Sequence, residues 1–164
     1  MKRWVSRTLL VLSCSYIAST LAADPAAEEV FRRGDDLYQR QQFAAAAPLL
    51  QQAASMGHAE AQMLLASMYG TGRGVGRDPR RAAQLYEAAG LQGNVPAQLA
   101  LGVQYEIGNG VPRDREKALY WLRQAAGNGD ARAAGYVSAL EQPDAPIFRT
   151  EQALADYVQR TARR

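Results

Sequence analysis

The sequence is poor in the residues that most often carry chemistry, holding one cysteine and one histidine among 164 residues. The cysteine, Cys14, sits near the start. A chain processed beyond it has no thiol, and so no disulfide, no thiolate metal site and no cysteine nucleophile. With a lone histidine, His58, a Ser-His-Asp relay has one place to be built. No pair of His or Cys ligands exists, and the scattered acids lack calcium-loop spacing, so neither a metal nor a cofactor is expected. Charge of one sign is also missing. Of 19 basic residues, Lys2, Arg3 and Arg7 precede every acid, and the remaining 16 face 16 acidic ones. That balance excludes a charge-driven hold on nucleic acid or anionic lipid. Finally, the one markedly apolar run, residues 8–18, is too short to span a bilayer comfortably.

That run is informative in another way. It follows a basic segment and precedes the small residues Ala22 and Ala23 and the polar start Asp24-Pro25, the layout of a secretory signal over residues 1–23. Cleavage after Ala22 or Ala23 fits best and predicts a periplasmic or secreted protein with no membrane span. An uncleaved anchor is the alternative. Val11-Leu12-Ser13-Cys14 loosely imitates a lipoprotein box. Leu12 fits it poorly and a cut there leaves a very short apolar region, so a lipid anchor through Cys14 is not expected.

The body of the chain repeats itself. Laid over residues 95–130, residues 59–94 are identical at 12 of 36 positions, among them Leu65/Leu101, Tyr69/Tyr105, Gly74/Gly110 and Asp78/Asp114. Within each copy the apolar residues recur with helical period in two runs, such as Ala97, Leu101, Tyr105 and then Ala118, Trp121, Leu122, Ala125. Each copy therefore reads as two amphipathic helices. Gly72, Gly74, Gly108 and Gly110 mark the connection between them, and Asp78 and Asp114 stand where a capping carboxylate is wanted. Gly93 and Gly129 close the second helices.

Residues Ala97, Leu101-Gly102, Tyr105, Gly108, Gly110-Val111-Pro112, Asp114, Lys117-Ala118, Trp121, Ala125-Ala126 and Gly129 together resemble the Sel-1-like repeat, a relative of the tetratricopeptide repeat with a longer, glycine-bearing turn. Residues 59–94 carry the same pattern, departing at Ala66 and Gly76, where the family favours Gly and Pro. Upstream, residues 24–58 match the spacing of an ordinary tetratricopeptide helix pair, through Phe31, Gly34, Leu37, Ala46, Leu50 and Ala53. Downstream, residues 131–164 begin a degenerate repeat at Ala133 and Val137. There the glycine turn gives way to a proline-bearing connector, and Thr150 caps a last helix with Leu154, Tyr157 and Val158 on one side. The resemblance implies an all-α, right-handed α-solenoid of four helix pairs with a divergent C-terminal capping helix. Whether that helix only ends the stack or occupies its groove stays open at this point, and an occupied groove makes the protein switchable.

The remaining candidates for chemistry read more simply as structure. His58 falls where the sister copies have Asn94 and Asp130, which marks a helix-end residue. Glu28-Glu29 and Asp35-Asp36 are neighbours that diverge on a helix rather than converge as an acid and a base. Arg77, Arg80, Arg81 and their counterparts Arg113, Arg115 and Lys117 interleave with acids, as on a salt-bridged surface. Gly70-x-Gly72-x-Gly74-x-Gly76 follows a helix, not a strand, so it is a turn and not a phosphate cradle.

No catalytic residue is therefore expected. The resemblance implies that the first helix of each pair lines a concave groove. By spacing the groove draws on Asp35, Tyr38, Gln39, Met63, Ser67, Leu99, Val103 and Glu106, with core packing the competing fate of Met63, Leu99 and Val103. A semi-apolar groove with polar margins suits a peptide or protein partner, and the expected function is a non-catalytic adaptor of the bacterial envelope. Two alternatives follow from the same resemblance: a β-lactam-binding or β-lactam-hydrolysing secreted protein, although the paired cysteines typical of such members are missing, and an immunity protein against a periplasmic toxin.

Overall fold

The computed structural model describes residues 24–142, 146, 148 and 150–161, so the leader, with Cys14, lies outside the described residues. Among these residues the chain forms eight helices and no strand: α1 (Pro25–Gln39), α2 (Phe43–Ser55), α3 (Ala59–Thr71), α4 (Pro79–Leu91), α5 (Val95–Ile107), α6 (Arg115–Gly127), α7 (Ala131–Leu140) and α8 (Glu151–Thr161). None of them is long and apolar enough to cross a membrane. From α1 to α7 each helix packs on its sequence neighbours, first within a pair and then between pairs. The fold is an all-α solenoid, in which each pair hides its apolar faces only by stacking.

Side chains chosen for the purpose start the helices. Asp78 accepts hydrogen bonds from the backbone N–H groups of Arg80 and Arg81, Asp114 from Lys117, Asn94 from Ala97 and Asp130 from Arg132 and Ala133. His58 is the equivalent cap on α3. Its Nδ1 accepts from the Ala61 N–H at 3.3 Å, which leaves Nε2 to donate to Glu28 at 3.0 Å, while the ring stacks on Phe31 at 4.2 Å. One nitrogen of the histidine thus caps α3, while the other nitrogen and one ring face join the first two pairs.

Two contacts fix the register between pairs. The glycine turns press on the pair before them: a Cβ on Gly74 would strike the Phe43 carbonyl group, and one on Gly110 would strike that of Pro79. Buried glutamines then tie three helices at once. The Gln62 amide donates to the Ala54 carbonyl at 3.2 Å and its oxygen accepts from Gln92 at 2.8 Å. In the next copy Gln98 donates to Gly90 at 2.9 Å and accepts from Asn128 at 3.1 Å. Both glutamines are buried and need these partners, since a buried amide without them costs about 1–3 kcal/mol.

The basic clusters before α4 and α6 are more than a solvated surface. Arg81 lies over the Tyr69 ring at 4.5 Å, and Lys117 lies over Tyr105 at 5.4 Å in the sister copy, while also pairing with Asp114 at 3.6 Å.

Two substitutions test this account. Gly110→Ala combines a positive φ of 79° with a backbone clash, and is expected to destabilise by about 3 kcal/mol or more. Gly93→Ala, at φ 86° but with open space around it, should cost only about 1–2 kcal/mol. Urea unfolding of the two variants measures the difference. At Gln104, buried and with its Oε1 lacking a partner among the described residues, the sister copy has buried Met68. Gln104→Met should raise stability by about 1 kcal/mol or more in the same measurement.

Candidate functional site

The last helix packs on α7 and closes an apolar cluster with residues of α5 and α6. Gly135 of α7 occupies the repeat position of Met63 and Leu99. A Cβ there would sit 3.3 Å from Cγ1 of Val158 in α8. Phe148, just before α8, and Leu154 within it are buried, and both belong to one apolar cluster with Leu99, Val103, Leu122 and Leu140. Tyr157 tilts against Phe148 at 5.2 Å between ring centroids, and its hydroxyl donates to Gln142 at 3.2 Å. α8 thus ends the stack by folding along its inner face.

Burial raises the pKa of the Tyr86 hydroxyl, a hydrogen bond with Ser67 opposes the rise, and Tyr38 and Glu151 add to it. Tyr136 is likewise raised, first by burial and then by Glu151. Glu151 stands in the first turn of α8, whose start is capped by the Thr150 hydroxyl accepting from the Ala153 N–H, and it acts on both Tyr86 and Tyr136.

The expected groove residues separate into three sets. Ser67 hydrogen-bonds to Tyr86, whose pKa Tyr38 also helps to raise, and Met63 is half-buried. Leu99 and Val103 are buried in the cluster that Phe148 and Leu154 complete, which is the core-packing fate. Asp35 and Gln39 bond to each other at 3.1 Å and border an open cleft with Arg32, Arg33 and Leu49 at the first end of the stack, away from α8.

Glu106 requires a correction. It is not a groove margin: it is wholly buried at the end of α5. There Arg113 reaches its Oε1 at 2.7 Å and its backbone carbonyl at 2.8 Å, and Arg115 reaches Oε1 at 2.7 Å and Oε2 at 3.2 Å. A carboxylate at a helix C-terminus is disfavoured by the macrodipole, and two guanidinium groups at the same end offset both that and the lost hydration. In the first copy Gly70 replaces Glu106 and Pro79 replaces Arg115, leaving only Arg77 on the Gly70 carbonyl at 3.1 Å. Comparison of the two copies was the one sequence signal that could have singled out Glu106. Arg115 extends the cluster outward, donating to the Pro146 carbonyl at 2.6 Å on the way to Phe148. Phe148, Tyr86 and Gly135 complete the site and have no local sequence signature.

Helix pairs stacked in this way define an all-α repeat scaffold. The model of the Sel1 repeat matches residues 30–58, 59–94 and 95–130, and the chain belongs to that family. The match takes in the first pair, whose turn lacks the glycines. Sel1 repeat proteins generally mediate protein–protein interaction. Among solved structures, the chain resembles a Sel1 repeat protein from Oxalobacter formigenes with 27% identity and a TM-score of 0.66, over 81% of this chain and 55% of that one. It resembles cysteine rich protein B of Helicobacter pylori with 26% identity and a TM-score of 0.54, over 56% and 68% of the two chains. A protective antigen of uropathogenic Escherichia coli strains displaying an SLR fold shares 25% identity at a TM-score of 0.69, over 84% of this chain and 30% of that one. The chain thus spans little more than half of the first of these and under a third of the last. Curated proteins give no match.

The Glu106 cluster predicts an asymmetry. The two arginine side chains are about a third exposed, at 31% and 28%, whereas the carboxylate is at 0%. Glu106→Gln leaves cations that turn toward water, and should cost about 2 kcal/mol. Arg113→Met with Arg115→Met strands a buried carboxylate and should cost about 3–5 kcal/mol. Chemical denaturation of both variants distinguishes the two losses.

Proposed function

We propose that this protein is a non-catalytic interaction module that holds a peptide or helical segment of a protein partner on the face formed by α1, α3, α5 and α7. The observation that carries the reading is the amphipathic segment already seated there, with Phe148 and Leu154 buried beside Leu99 and Val103. A face that accepts one apolar helix side while leaving Tyr38, Met63 and Ser67 only half-buried has both the chemistry and the room for such a ligand. Engagement of both nitrogens of His58 in capping and pairing supports a structural rather than a catalytic histidine. The leader-like residues 1–23 support an envelope setting, either periplasmic or secreted, in which the partner is another exported protein.

The test is site-specific photo-cross-linking in the cells that make the protein. p-Benzoylphenylalanine at Met63 should yield a covalent adduct with one protein, identified by mass spectrometry, while the same group at Gln84, an exposed α4 residue outside this face, should not. Adducts from Gln84 alone, or equally from both positions, overturn the assignment. Retention of the protein in an osmotic-shock fraction or in the culture medium supports export, and retention with cytoplasmic markers refutes it.

A further inference from the structure

We propose that α8 with Phe148 is an intramolecular pseudo-ligand, and that the part of the inner face over α5 and α7 binds a partner helix of the same chemistry in its place. This rests on the interaction reading above and names the kind of segment recognised. The required features are visible in the resident segment. An aromatic ring precedes a capped helix start, an acid stands in the first turn, and apolar residues follow at Leu154, Tyr157 and Val158, with polar residues Gln152, Asp156 and Gln159 outward.

Several observations mark this segment as replaceable. It packs chiefly on α7 and far less closely than the other helices pack on their partners. The glutamine clamps of Gln62 and Gln98 lie between earlier helices, whereas the glutamine bonded to this segment, Gln142, follows α7 and meets only the Tyr157 hydroxyl. One of its polar anchors suits a foreign chain equally well, since Arg115 donates to the Pro146 backbone carbonyl, which any chain carries, and Glu106 holds Arg115 ready for that bond. Gly135 stands where the sister pairs have Met63 and Leu99, so the face is hollowed at the one place where Val158 enters. The buried triad and this hollow both belong to the part of the stack that α8 covers, and the first copy lacks the triad.

The experiment uses the chain from Asp24 onward and its Phe148→Ser, Leu154→Ser variant, with a fluorescein-labelled synthetic peptide of residues 146–161 as probe and anisotropy as readout. The peptide should bind the double variant at least about 10-fold more tightly than the parent, because the parent's site is free only in the fraction of molecules that have released α8. A peptide carrying Phe148→Ser and Leu154→Ser should bind neither. Absence of peptide binding to a double variant that still melts cooperatively overturns the proposal. Equal binding to parent and variant also overturns it, yet leaves the interaction reading intact, which the cross-link at position 63 judges independently. If the double variant loses its cooperative transition, amide hydrogen exchange of the parent decides: α8 opening about 10-fold or more often than α5 supports the proposal, and equal protection overturns it.

Discussion

The glycine turns of the two middle pairs lie against the backbone that begins the second helix of the pair before each, and the register of the stack depends on those contacts. At Gly74 and Gly110 there is no space for a Cβ, so the turns approach Phe43 and Pro79 as closely as backbone allows. With the turns seated, Gln62 and Gln98 fall within reach of carbonyl groups on the preceding helices and amides on their own pair. The apolar contacts of Leu50, Leu65, Leu101 and Trp121 then close without a directional requirement of their own. Polar groups set the spacing, and hydrophobic burial makes that spacing stable.

A stack built this way has an unfinished last pair unless something covers it. α7 is shorter than the first helices before it, ending at Leu140, and its connector to α8 lacks the glycine turn that would seat against Arg115 and its neighbours. Arg115 is instead held by Glu106 and donates to the Pro146 carbonyl. The chain is thereby led onto the inner face, where Phe148 and Leu154 cover the apolar side chains that the missing pairing would leave open. Each buried side chain of this size contributes about 1.5–3 kcal/mol, so Leu99 and Val103 favour some apolar cover at all times.

Much of this was legible in the sequence because the constraints repeat. A turn that excludes Cβ, a cap that needs a short acceptor and a helix face that must be apolar each leave the same residue type 36 positions apart, as at Gly74/Gly110, Asp78/Asp114 and Leu65/Leu101. His58 was readable as a helix-end residue by its register with Asn94 and Asp130, although its use of Nδ1 as the cap acceptor was not. Glu106 was misread because a glutamate in the last turn of a helix has the local signature of a solvated residue. What buries it is the arrival of Arg113 and Arg115 from across the turn, and no window on one helix contains that information. Leu154, Tyr157 and Val158 showed that α8 has one apolar side, but periodicity gives a face without naming what the face meets.

The same distinction separates scaffold from cover in function. Repeated constraints hold α1 to α7 in place whatever lies on the inner face, because the glycine contacts and glutamine clamps run along the stack and none of them involves α8. The cover is fixed by unrepeated features, namely Phe148, the hollow at Gly135 and the Arg115 bond to a main-chain carbonyl. A segment held largely by side-chain burial is recognised by its apolar pattern rather than by its covalent connection. Competition between a resident and an incoming helix is then decided by their relative apolar fit and by the entropic advantage of the tethered one. The solenoid offers the surface, and the tether sets how strong a partner must be to take it.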